Sequence, residues 1–112
     1  MLPKSQRLNL TKDFKWVASG KKLETKYLKL FIKLGENEKP RVGIALSSKN
    51  FKKAVGRNRA KRVTAEAFKS IYKALPNNIN IVALPKSGVL DVKSGDLSLD
   101  LESVLRENKI IV

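Results

Sequence analysis

Residues 26–34, Lys-Tyr-Leu-Lys-Leu-Phe-Ile-Lys-Leu, alternate with period two and predict a β-strand. Leu28, Leu30, Ile32 and Leu34 share one face; Tyr27, Lys29, Phe31 and Lys33 share the other. Gly35-Glu36-Asn37-Glu38-Lys39-Pro40 is a turn cluster, so a hairpin partner is expected next, and Val42, Ile44 and Leu46 supply it. Over 54–75 the period becomes helical. Ala60, Val63, Ala67, Ile71 and Ala74 recur on one face, with Arg62, Lys69 and Lys73 opposite, and Pro76-Asn77-Asn78 ends the helix. The apolar run 79–84 before Pro85 reads as a buried strand. Ahead of these elements, Thr11 as N-cap, Asp13 in the first turn, the stripe Phe14, Val17 and Ala18, and Gly20 as stop predict a short helix. Leu97, Leu101, Val104 and Leu105 predict a last helix capped by Asp96 or Ser98. Its early part also alternates, which leaves its start open. The order α, β, β, α, β, α, with room for one more short strand at 47–51, favours an α+β fold: a mixed sheet packed by helices in a two-layer sandwich. The tail Ile110-Ile111-Val112 is suited either to a sheet edge or to fraying.

Composition supports a folded chain and narrows its chemistry. The 112 residues are 42% hydrophobic, enough for one domain spanning 1–112, and no Pro- or Gly/Ser-rich linker divides them. Cysteine and histidine are both absent, which excludes zinc fingers, thiol nucleophiles and His-based catalysis. Asp91, Asp96, Asp100, Glu102 and Glu107 fit capping or solvent-facing positions better than an acid/base pair. No apolar run approaches a membrane span, and Met1-Leu2-Pro3-Lys4-Ser5 lacks the apolar stretch of a signal peptide. A cytoplasmic protein with no membrane partner is expected.

Charge changes the picture most. The 24 Lys and Arg against 10 Asp and Glu leave +14, which calls for a polyanionic partner. The excess is lopsided: residues 1–70 carry 19 basic and 5 acidic side chains, and 71–112 carry 5 of each. The densest part, 49–69, holds eight basic residues and one acid, Glu66. Arg57-Asn58-Arg59 falls near a helix start, where unsatisfied N–H groups and the positive dipole end favour phosphate. Cations there oppose the dipole by roughly 0.3–1 kcal/mol each, so a chain shaped by stability alone would place acids instead. The strand face Tyr27, Lys29, Phe31, Lys33 interleaves rings with ammonium groups. That pattern suits unpaired bases stacked on aromatics, and equally an edge strand whose rings pack under the first helix.

The segment Arg41-Val-Gly-Ile-Ala-Leu-Ser-Ser-Lys-Asn-Phe-Lys-Lys-Ala-Val-Gly-Arg-Asn-Arg-Ala-Lys-Arg62 resembles the motif of bacterial ribonuclease P protein subunits, with Glu66-Ala67-Phe68 continuing its helix and Asp13-Phe14, Val17 and the glycine resembling the family's first helix. The resemblance implies a fold like the second domain of ribosomal protein S5, with a left-handed β-α-β crossover, the reverse of the usual hand. It implies a subunit that assists an endoribonuclease in removing the 5′ leader of precursor tRNA. The RNA subunit carries the chemistry and mainly holds the Mg2+, and no protein residue is catalytic. The implied partners are the catalytic RNA and precursor tRNA, not DNA. Carried over by motif, Lys52, Lys53, Arg59, Lys61 and Arg62 would face the catalytic RNA. Phe14, Val17, Phe31, Arg57 and Asn58 would line a leader cleft, extended by Tyr27 and Lys29. Two positions depart from the pattern: Ala18 replaces an aromatic, which would weaken stacking or shift it toward Tyr27, and Ala65 replaces an arginine, which reads as one lost RNA contact.

Other classes compete. A ribosomal or structural RNA-binding protein fits the composition equally and is separated only by the 57–62 motif in its context. A DNA-binding module reading with 57–75 lacks a preceding helix and tight turn. A free-standing nuclease lacks a catalytic cluster.

Overall fold

The computed structural model describes residues 2–47 and 49–111. In chain order its main elements are α1 (Leu10–Ala18), β1 (Lys21–Glu24), β2 (Leu28–Leu34), β3 (Arg41–Ile44), α2 (Ala54–Ile71), β4 (Ile79–Pro85) and α3 (Ser94–Glu107). Asn9, not Thr11, caps α1: its side chain accepts from Lys12 N at 3.2 Å. The helix ends at Ala18 with Ser19 as C-cap, and Gly20, the expected stop, follows it, its N–H donating to the Val17 carbonyl at 3.0 Å. Gly20 also serves packing, since a Cβ there would lie 2.3 Å from the Ile32 carbonyl oxygen. Helix α2 stops at Ile71 and tightens into a 3-10 turn at Tyr72–Ala74, which leaves Ala74 exposed rather than on the buried stripe. Helix α3 starts at Ser94, ahead of both expected caps. No strand forms among the described residues of 47–51; Ser48 lies outside them.

The sheet order is β1-β2-β4-β3, with β1–β2 and β2–β4 antiparallel and β3–β4 parallel. This overturns the expected β2–β3 hairpin. Strand β4 inserts between them because it is apolar almost throughout and can be buried on both faces, whereas β3 has only four residues. The register sets Phe31 opposite Val82, Lys33 opposite Asn80 and Lys29 opposite Leu84. Strand β1, not foreseen, pairs Lys21–Glu24 along β2 and offers only Leu23 inward. The β2–β3 connection is held by Asn80, whose Nδ2 donates to Asn37 Oδ1 at 2.9 Å, and by Tyr72, whose hydroxyl donates to the Pro40 carbonyl at 2.7 Å. Burial pushes the Tyr72 phenol up, keeping it a protonated donor.

The two sheet faces are covered unequally. Leu28, Leu30, Ile32, Ile79, Ile81 and Ala83 pack against Ala60, Val63, Ala67, Phe68 and Ile71 of α2 and Leu97, Leu101 and Leu105 of α3. Each fully buried side chain of this size contributes roughly 1.5–3 kcal/mol. Leu34 escapes this face and is 59% exposed. Ile111 joins the main core, so the tail is anchored to that point; Val112 lies outside the described residues. The opposite face carries α1, which packs through Leu10, Phe14 and Val17 over Phe31, Val82 and Leu84, with Leu8 of the preceding segment buried beside it. The expected two layers are therefore supplemented by one short helix, and much of that second face stays open.

Thr64, fully buried on α2, has no partner for its Oγ1 among the described residues. Thr64→Val replaces that hydroxyl with a methyl of equal size. It is expected to raise unfolding stability by about 1 kcal/mol in urea titrations, with the m-value unchanged.

Candidate RNA interface

The N-terminal end of α2 forms the first part of the site. Its N-cap is Lys53, no side chain caps the free N–H groups, and no acid occupies the first turn. Gly56 lies under Leu90 of the 3-10 turn Ser87–Asp91, so the helix start is braced from one side. At 100° per residue, Asn58, Arg62 and Lys69 fall on the outward face and Arg59 and Lys61 on its two flanks. All five are exposed, as are Lys52 and Lys53. Arg59 Nε donates to the Leu90 carbonyl at 3.1 Å, which leaves its two terminal nitrogens for a ligand. Among the described residues the two ion pairs are Glu24–Lys86 and Glu102–Arg106, so none of these cations has an acidic partner. Val55, 80% exposed in the midst of them, adds an apolar surface that sequence reasoning passed over.

Arg57 behaves differently from its neighbours. One terminal nitrogen donates to the carbonyls of Phe51 (3.0 Å) and Lys52 (3.1 Å), tying down the loop that enters α2. Its first task is to hold Lys52 and Lys53 in place, with its remaining N–H groups left over for a ligand.

The second part lies on the α1 face of the sheet. Phe14 and Phe31 are half-buried and share a cluster with Ala45 and Leu84. Phe31 packs under α1, though on a central rather than the expected edge strand, and its ring stays partly accessible. Val17 is wholly buried and can only form the floor beneath α1. Lys29 is exposed at the same end of β2. Tyr27 is separated from this group. It lies in the turn built on Thr25, whose Oγ1 accepts from the Tyr27 and Leu28 amides, and packs beside Gly88 against the main core. A shift of stacking from position 18 to Tyr27 is thus not what the fold provides. Because Ala45 directly follows β3 and pairs with Ala83, the chain leaves the sheet beside Leu84 and leads within ten residues to α2. Rings and basic helix start are brought to one end of the sheet.

Cations sit over the rings. Lys22 Nζ is 6.0 Å from the Phe31 centroid, Lys26 Nζ 5.5 Å from Tyr27 and Lys33 Nζ 5.2 Å from Trp16. Trp16, 42% exposed, was missed in the sequence. Its signal was an aromatic two residues past Phe14, off the apolar stripe of its helix. Lys86, by contrast, is neutralised: its Nζ lies 2.8 Å from Glu24, whose carboxyl it holds below the usual range through that hydrogen bond and its charge.

Ala65 corrects a reading. It is 3% exposed and lines a cavity of about 120 Å³ with Leu2, Leu8, Leu10, Val42 and Lys61, so it does not mark a vacant place on the outward surface. Ala65→Arg is expected to cost about 1–3 kcal/mol in thermal unfolding by overfilling this groove, rather than to tighten RNA binding.

A small α+β domain with an uncapped basic helix start and an open face of rings and lysines has the make-up of a nucleic-acid-binding protein. The family described as Ribonuclease P matches residues 2–109, and the chain belongs to that family. It is 33% identical over 107 residues to the ribonuclease P protein component of Yersinia pestis, covering 95% of this chain and 89% of that one. To the component of Pseudoalteromonas atlantica it is 36% identical over 80 residues, 71% of this chain and 66% of the relative. The RNase P protein from Thermotoga maritima superimposes with a TM-score of 0.78 at 26% identity, covering 90% of this chain and 96% of that one. The expected fold class and family are borne out: this is a protein component of the endoribonuclease that matures tRNA 5′ ends.

Proposed function

We propose that the chain binds the catalytic RNA through the α2 start and the precursor-tRNA leader through the α1 face. The observation that carries this is the run of exposed Lys52, Lys53, Arg59, Lys61 and Arg62 at an uncapped helix start, without an acidic partner among the described residues. Unpaired cations beside free N–H groups are costly alone and favourable against phosphate. The leader takes Phe14, Phe31 and Lys29, with Asn58 and the free part of Arg57 closing the end nearest α2. Mg2+ belongs with the RNA. Mg2+ takes mostly oxygen ligands from phosphate and water, which an RNA supplies in abundance, and among the described residues no three His, Cys, Asp or Glu side chains gather. No described helix is long and apolar enough to cross a membrane, and the proposed compartment is the cytoplasm, where precursor tRNA is found.

The test is reconstitution. Added to a ribonuclease P RNA at low magnesium, the chain should restore leader removal, because its cations replace counterions that the RNA otherwise needs. No stimulation at any magnesium concentration would refute the reading.

A further inference from the structure

The leader cleft accounts for one flank of α1 only. Residues 1–34 carry nine Lys and Arg against Asp13 and Glu24, a surplus as large as that of the α2 segment. Lys12, Lys15 and Lys33 of this set stand at α1. At 100° per residue Phe14 and Trp16 lie 200° apart, on opposite flanks of the helix, and Lys12 and Lys15 stand exposed on the outward face between them. Trp16 Cη2 lies against Gly35, where a Cβ would approach to 2.8 Å, so the indole is laid onto β2's end by a residue that has no side chain. Lys33 Nζ sits over the ring and donates to Ser19 Oγ at 2.9 Å, with no acid paired to it among the described residues. Lys33 is two residues along β2 from Phe31 on the same face, a step of about 7 Å.

We infer that Trp16 and Lys33 form a second stacking site, where a nucleotide of the leader beyond the cleft is held after the strand crosses Lys15 and Lys12 over α1. The base takes the indole face now under the ammonium, and Lys33, on its flexible stem, passes from the ring to the phosphate. Asp13 and Glu36 line a depression beside Trp16 with Asn37, Arg41 and Asn80, and repulsion from these two acids directs the backbone to the Lys33 side. The leader, rather than the catalytic RNA, is the occupant because this patch shares the α1 face with Phe31, while α2 packs on the opposite face. The inference rests on the leader-binding reading of the cleft.

Trp16 is the single tryptophan of the chain, so its fluorescence reports this site alone. Holoenzyme assembled from this chain and a ribonuclease P RNA should lose tryptophan emission on binding precursor tRNA with a long leader. A leader of only a few nucleotides, or mature tRNA, should leave the emission unchanged. Trp16→Leu, which keeps an apolar contact on Gly35, should weaken long-leader binding about 5- to 100-fold and leave short-leader binding intact; Trp16→Phe should restore most of it. Quenching by the catalytic RNA alone, with weaker RNA docking in Trp16→Leu, would assign the site to that RNA and overturn the inference. Equal weakening for both leader lengths, or none, would also overturn it. Failure of the cleft itself is read separately, from short-leader binding in Phe31→Ala.

Discussion

Phe31→Ala is expected to weaken binding of precursor tRNA carrying a leader by up to about two decades, leaving mature tRNA and the bare catalytic RNA nearly unaffected. Stacking a base on an aromatic contributes roughly 1–3 kcal/mol, and about 1.4 kcal/mol is one decade. The ring is positioned for this by β2's central place in the sheet, by Leu84 beside it and by Phe14 across from it. It is also half-buried, so truncation costs packing as well. Phe31→Leu separates the two effects: it keeps most of the contact with Val17 and Val82 and removes the stacking surface, so leader affinity should fall while thermal stability stays close to wild type. Cleavage at saturating substrate and magnesium should persist in both variants if, as proposed, the RNA carries the chemistry and the ring only holds the leader. Equal weakening for substrates with and without a leader would make the ring structural only.

Arg59→Ala combined with Arg62→Ala should reduce affinity for the catalytic RNA and flatten its dependence on salt by roughly one unit of slope per lost phosphate contact. Arg62 is the cleaner probe, exposed on the outward face of α2 and without an ion-pair partner among the described residues. Arg59 also holds the Leu90 carbonyl, so its loss additionally frees the 3-10 turn that braces the helix start. The expected order is therefore a slope change in each single variant and a small loss of stability in Arg59→Ala alone. A double variant that remains folded and keeps both affinity and slope would place the docking surface elsewhere.

The candidate site was legible in the sequence where its chemistry is written in consecutive residues. The 57–62 motif and the surrounding lysines needed only charge and helical period to be placed on one helix start, and the structure puts them there. Phe31 was legible as a ring on a lysine-bearing face. Tyr27 was not, because alternation assumes that the strand continues, and the Thr25 turn ends it first. Ala65 was misread for a related reason: one helical flank is solvent or groove depending on whether Leu2 and Leu8 fold back over it. Trp16 escaped because a polar-face aromatic on a nine-residue helix carries no period.

The elements themselves follow from local pattern: the two-residue period of β2, the apolar run of β4 and the 3.6-residue stripe of α2 each need only neighbouring residues to declare themselves. Net charge and its concentration before residue 70 are likewise properties of the chain alone. The partners of the strands are not. Strand β4 lies between β2 and β3 because only the assembled sheet decides which strand must be buried on both faces, and a turn after β2 permits a hairpin without requiring one. Strand β1 exists because β2 offers it a free edge; its own Lys-Lys-Leu-Glu carries a single inward side chain. The same holds for the surface. Local sequence supplied the rings and cations, and long-range packing, with α2 and α3 on one face and α1 on the other, decided which of them remain open to an RNA strand.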